Sequence, residues 1–179
     1  VNSFIDGSAK VNDQRADVNK QNRIAVVKFA GNKTDKIGND QYSQNRYWYN
    51  YTQVVSGYKA YTSGNKSEWE TTVNALKPAG CTAADYAMDL TKTLVDQSKT
   101  DANNNADRKN VKRVVIFFTD GEPNHQSGFD ESVANSAITS AKTIKADADI
   151  YTIGIFSGAD VSITGHSGSG SWSAKEKFN

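Results

Sequence analysis

Four stretches of the chain are apolar enough, and short enough, to be strands. Residues 24–30 (IAVVKFA) are β-branched, and residues 52–58 (TQVVSGY) are weaker and more polar. Residues 114–119 (VVIFFT) are almost unbroken apolar, and residues 150–156 (IYTIGIF) are similar. An apolar run without alternation suits a strand buried on both faces of a mostly parallel sheet. Between these runs the period becomes helical. Trp69, Val73 and Leu76 stand at i, i+4 and i+7 within residues 67–77, one face of a helix. Ser67 and Glu70 read as a capping box at its start, and Pro78 ends it. Residues 83–98 carry Ala84, Ala87, Met88, Leu90, Leu94 and Val95 at helical spacing, and residues 131–146 carry Val133, Ala137, Ala141 and Ile144. Residues 1–5 read as the last turn or two of a helix, and residues 173–179 as the first turns of another.

This order of elements predicts an α/β fold. There is no internal repeat and no interdomain linker, so residues 1–179 read as a single domain. Two segments read as loops. Residues 31–50 are polar with a cluster of Tyr42, Tyr47, Trp48 and Tyr49, and residues 157–173 are rich in Gly and Ser. The aromatic cluster has two open readings, a platform that contacts a ligand or an apolar lid over the edge strand.

Composition narrows the function. Hydrophobic residues make up 37% and charged residues 23%, too apolar a mixture for a disordered chain. The 21 Lys+Arg and 20 Asp+Glu leave a net charge of +1 without any run of like charges. Nothing there favours electrostatic binding to nucleic acid or membrane. No apolar stretch has the length of a membrane span, and the first residues do not read as a signal peptide. A single cysteine, Cys81, excludes an internal disulfide framework and a multi-cysteine metal site.

The informative residues sit at two junctions. The apolar run 114–118 leads into Thr119, Asp120, Gly121, Glu122 and Pro123, a strand delivering a carboxylate at its carboxyl end. In open α/β sheets ligands bind at that edge. Separately, Lys77, Pro78, Ala79, Gly80, Cys81 and Thr82 place a hydroxyl where the 83–98 helix begins. Thr82 with Asp85 also has the T-x-x-D spacing of a helix cap. His125 and His166 lie in polar loops with no constellation spaced for nucleophilic catalysis, and both read as surface residues. Cys81, beside a helix start, reads as a small buried filler, or as a somewhat acidic thiol.

The strand spacing, the helix order, the GCTAAD loop and the FFTDG strand end together resemble the von Willebrand factor type A (vWA) family. The resemblance implies a doubly wound, Rossmann-like, mostly parallel sheet, and one divalent cation, Mg²⁺ or else Ca²⁺ or Mn²⁺, in a metal-ion-dependent adhesion site. In that family the site draws on an Asp-x-Ser-x-Ser loop after the first strand, a Thr from a later loop and an Asp after the fourth strand. By the comparison Thr82 matches the Thr and Asp120 the late Asp, with no catalytic residue implied. No Asp-x-Ser-x-Ser follows a first strand here. The loose match at Asp160, Ser162 and Thr164 lies after the last strand. The expectation is therefore a vWA domain truncated at both ends and lacking its first, central strand, so that residues 24–30 and 114–119 flank an empty slot and the metal is not held tightly.

The texture is closest to vWA domains of Gram-positive surface and pilus-tip adhesins. The implied function is an extracellular, cell-wall-attached module that engages an acidic residue of a protein partner through the metal. The alternative is an intracellular vWA scaffold or regulatory subunit of a metal-dependent assembly. A phosphatase-like hydrolase using Asp120 is disfavoured, because the second Asp such enzymes carry two residues on is here Glu122.

Overall fold

In the computed structural model, which describes residues 1–154 and the backbone of two short strands beyond them, apolar periodicity and hydrogen-bonded strand pairs build an α/β arrangement. The strands are β1 (Arg23–Lys28), β2 (Gln41–Gln44), β3 (Tyr47–Asn50), β4 (Gln53–Ala60), β5 (Val114–Thr119), β6 (Asp149–Gly154), β7 (Ser162–Thr164) and β8 (Ser171–Ser173). The helices are α1 (Asn2–Asp13), α2 (Lys66–Asn74), α3 (Ala84–Asn104) and α4 (Glu131–Ile144).

Two apolar clusters organise the packing. Ile5, Tyr61 and Trp69 are buried together against Ile24, Val26 and Val73, which seats α1 and α2 on the β1–β4 pair. Met88, Val95, Ile144 and Ala148 are buried against Val115, Phe117 and Ile150, which seats α3 and α4 on the β5–β6 pair. Asn12, fully buried, fastens the end of α1: its amide donates to the carbonyls of Tyr61 (2.8 Å) and Asn22 (2.9 Å), and its oxygen accepts from the Asn22 N–H (2.7 Å).

Among the described residues, the strands form four two-stranded sheets and no continuous one. β1 pairs with β4, β2 with β3 and β7 with β8, all antiparallel, and β5 pairs with β6 in parallel. A mostly parallel sheet is therefore visible only in the β5–β6 pair. As expected, β1 and β5 are not hydrogen-bonded to each other. They face one another across a groove of about 1770 Å³, whose walls include Ile24, Val26, Val115 and Phe117. Helix α3 contributes Ala87 and Leu94 to the lining, and α1 and α2 contribute Phe4 and Trp69. One aromatic pair spans the groove, the stacked rings of Phe29 and Phe117, 5.0 Å between centroids.

The groove explains where the sequence misleads. The unbroken apolar run of β5 is not buried on both faces: Val114 is 47% and Phe118 45% exposed. The expected helix end at residues 1–5 is the start of the twelve-residue α1. The Ser67/Glu70 capping box does not form, because α2 begins at Lys66 and the Glu70 carboxylate pairs with the Lys66 ammonium at 3.2 Å. The loop 31–50 holds the β2–β3 hairpin, and the loop 157–173 holds β7 and β8. The helix expected over 173–179 lies outside the described residues apart from Ser173, which closes β8. Residues 155 and 156 and His166 also lie outside them.

Trp69 is 1% exposed at the centre of the first cluster. Trp69→Ala should destabilise the chain by about 3–5 kcal/mol, measured by urea unfolding. A midpoint equal to that of the unsubstituted chain would show that α2 is not part of the cooperative core.

Candidate functional site

The carboxyl ends of β1 and β5 meet the start of α3, and backbone hydrogen bonds fix the meeting. The Ala83 N–H donates to the Ala30 carbonyl just past β1 (3.1 Å). The Asn124 N–H donates to the Thr82 carbonyl (3.0 Å), forming a bridge between the loop before α3 and the loop after β5. Thr119, the buried last residue of β5, accepts from the Gly121 N–H (3.3 Å) and donates to the Gly121 carbonyl (3.1 Å) through its hydroxyl. That local turn ends the strand at Asp120, which is exposed.

Thr82 lies against this turn. A Cβ added to Gly121 would stand 2.6 Å from the Thr82 hydroxyl oxygen, so the hydroxyl occupies the space a side chain would need. Thr82 and Asp120, 38 positions apart (120 − 82), are thus brought to the same edge, with the Thr82 hydroxyl against the residue that follows Asp120. The capping reading of Thr82 is corrected: the residue flanking α3 is Ala83, and no side chain caps the helix. Among the described residues, neither the Thr82 hydroxyl nor the Asp120 carboxylate is hydrogen-bonded.

Further contacts hold the two loops. Gly80 adopts φ +123°, in the left-handed region, and a Cβ there would press on Ala30 at 3.2 Å, so the bend toward Thr82 requires glycine. Thr52, fully buried, accepts from the Ala30 N–H (3.0 Å) and donates to the Gly31 carbonyl (2.9 Å), fixing the end of β1. The Cys81 thiol points at the carbonyls of His125 (3.2 Å) and Gln126 (3.3 Å). Burial pushes its pKa up, opposite to an acidified thiol.

His125 is more than a free surface histidine. Its Nε2 lies 2.9 Å from an Asp85 carboxylate oxygen, and its ring stacks on Tyr86 at 4.5 Å. The pair latches the loop after Asp120 onto the first turn of α3. No local signal could have found it, because the partners are 40 positions apart. Farther along, Asp130 caps α4; hydrogen bonds from the Ser132 hydroxyl and then from the α4 backbone hold its carboxyl below the ordinary range.

The aromatic cluster divides. Tyr42 stacks on Tyr49 (5.5 Å) and tilts against Tyr51 (4.7 Å), and its hydroxyl accepts from the Asn32 N–H (3.1 Å), so these rings form the lid. Tyr47 is 69% and Trp48 66% exposed.

Thr82 carries a neutral hydroxyl and Asp120 a carboxylate, hard oxygen donors of the kind Mg²⁺ and Ca²⁺ prefer. Two such donors are fewer than the roughly six a divalent shell needs. Among the described residues no group of three or more His, Cys, Asp or Glu could hold a metal. No helix among them is long and apolar enough to cross a membrane.

No curated protein and no solved structure matches the chain. The family model of the von Willebrand factor type A domain matches residues 4–168, a span that includes both loops of the site, helices α2 to α4 and all but the first two residues of α1. The chain belongs to the von Willebrand factor type A domain family.

Proposed function

We propose that this chain is an extracellular adhesion module of a Gram-positive cell surface or pilus, which engages an acidic residue of a protein partner through a divalent cation at Thr82 and Asp120. Domains of this family are commonly interaction modules and typically hold a divalent metal. The observation that carries the reading is the Thr82 hydroxyl packed on Gly121, next to Asp120, at the carboxyl edge of two strands. A bound divalent cation supplies an electron-poor coordination position that a partner's carboxylate can complete. The chain's own residues orient that position. Thr82 leaves the charge of the cation undiminished, Asp120 supplies one formal negative charge, and the His125–Asp85 latch keeps the two loops in register.

The groove between β1 and β5 is the natural seat of a further strand running parallel to both. β1 and β5 end at the same edge, and each already has a partner on its other side. A strand there would bring its carboxyl end to the same edge, where the remaining oxygens are needed. Cys81, beside the His125–Asp85 pair, faces the His125 carbonyl, and burial pushes its pKa up, away from the thiolate a nucleophile needs.

Calorimetric titration with Mg²⁺ or Mn²⁺ should give a Kd weaker than about 0.1 mM for this chain, since two protein oxygens offset little of the cation's dehydration. Micromolar binding would show that the site is complete without a further strand. Thr82→Ala and Asp120→Ala should each weaken the binding again.

Gly121→Ala tests the packing directly. The added methyl must displace the Thr82 side chain, which should cost about 1–3 kcal/mol of stability and lower the metal affinity as well. Unchanged melting temperature and unchanged Mn²⁺ binding would contradict the contact.

A further inference from the structure

We infer that the tip of the β2–β3 hairpin, formed by Arg46, Tyr47 and Trp48, is a second contact point for the same protein partner, receiving an apolar or aromatic side chain close in sequence to the carboxylate engaged at Thr82 and Asp120. The inference rests on the proposed metal-edge reading and adds a surface to it.

The hairpin register separates two jobs. Tyr42 pairs with Tyr49, and these rings with Tyr51 complete the lid. Trp48 pairs with Ser43, so it projects from the opposite face of the hairpin, while Tyr47 pairs with Gln44 beside the turn, on the Tyr42–Tyr49 face but outside the ring contacts of the lid. Their exposures of 66% and 69% exceed those of most large apolar side chains among the described residues, and the lid does not use them. Rigid aromatic side chains offer a large contact area at low entropic cost, which is why they dominate binding hot spots.

The turn points the same way. Asn45 at φ 52° and Arg46 at φ 69° give a two-residue turn with both central residues in the left-handed region. Glycine ordinarily takes the second of these positions. Arginine there is strained, and strain of this kind gathers at ligand-contacting segments. It also sets a cation at the tip, of the same sign as the proposed metal, so tip and edge favour the same acidic partner.

Backbone hydrogen bonds join the base of the hairpin to the loop that leads to Thr82. The Gly31 N–H donates to the Asn50 carbonyl (3.0 Å), and the Asn50 N–H donates to the Ala79 carbonyl (2.9 Å), three residues before Thr82. Tyr49 packs where a Gly80 side chain would be, at 3.5 Å. From Asn50 to Tyr47 the strand advances about 10 Å at roughly 3.3 Å per residue.

The test uses the full chain in Mg²⁺ buffer as bait for a displayed library of random dodecapeptides. Selected sequences are then synthesised and titrated against the unsubstituted chain and the exposed-site variants. The selected peptides should carry Asp or Glu within a few residues of an aromatic or large apolar side chain. Trp48→Ser with Tyr47→Ser should weaken them about tenfold or more, with circular dichroism and melting temperature unchanged. Binding should disappear with EDTA or when the peptide's acid is replaced by its amide. If EDTA abolishes binding but the double variant binds as the unsubstituted chain does, the hairpin proposal is overturned and the metal edge stands. If the double variant loses binding but EDTA has no effect, the metal reading is overturned, and with it the shared footprint. The proposal is also overturned if no acidic sequence is selected, or if the tip drives self-association that Trp48→Ser removes.

Discussion

Two backbone hydrogen bonds made by one short segment hold the edge that carries Thr82 and Asp120 together. The Ala83 N–H reaches the end of β1 at Ala30, and the Thr82 carbonyl receives the Asn124 N–H from the loop beyond β5. Each such bond contributes only about 0.5–1.5 kcal/mol net. Their importance is geometric, because β1 and β5 belong to sheets that share no ladder. The segment between them sets how far apart the two strand ends lie and which way Asp120 and Thr82 present. Glycine makes both junctions possible. Gly80 lets the chain bend onto Ala30, and Gly121 leaves room for the Thr82 hydroxyl.

Behind that edge, α3 is the shared support of the two halves. Met88 and Val95 pack toward Val115 and Phe117 of β5, while Ala87 and Leu94 line the groove that separates β5 from β1. Among the described residues, the facing edges of the two strands carry backbone groups with no ladder partner, an arrangement that invites strand addition. On the proposed reading, one further strand would satisfy those groups, cover the half-exposed Val114 and Phe118, and bring oxygens to the edge where Thr82 and Asp120 wait. Stability and metal affinity would then rise together, because one segment would supply both.

Much of this was legible in the sequence, for reasons that are local. The run at 114–119 reads as a strand, and its six residues are β5 as read. The spacing of Ala84, Met88, Leu94 and Val95 gave α3, and the Thr-Asp-Gly turn gave the strand end. What failed were readings that depend on neighbours far away. The Ser67/Glu70 box lost to a lysine at position 66 that offered Glu70 a charged partner. The depth of β5 in the core could not be foreseen from its own residues, since exposure at Val114 and Phe118 comes from the open groove beside them. The His125–Asp85 latch and the packing of Thr82 on Gly121 join residues about 40 positions apart, and no periodicity announces such pairs. The aromatic cluster was visible but undivided. Only cross-strand register shows that Tyr42 and Tyr49 share a face which Trp48 does not.

The central claim is that Thr82 and Asp120 form one cation-binding edge, and paramagnetic broadening by Mn²⁺ tests it most directly because it reports even weak binding by position. Substoichiometric Mn²⁺ added to the ¹⁵N-labelled chain should first broaden the amide signals of Thr82, Ala83, Asp120 and Gly121. Signals from the far turns of α4, such as Ser140 and Thr143, should stay sharp at the same concentration. Broadening centred on other acidic residues, or spread evenly over the surface, would contradict the account.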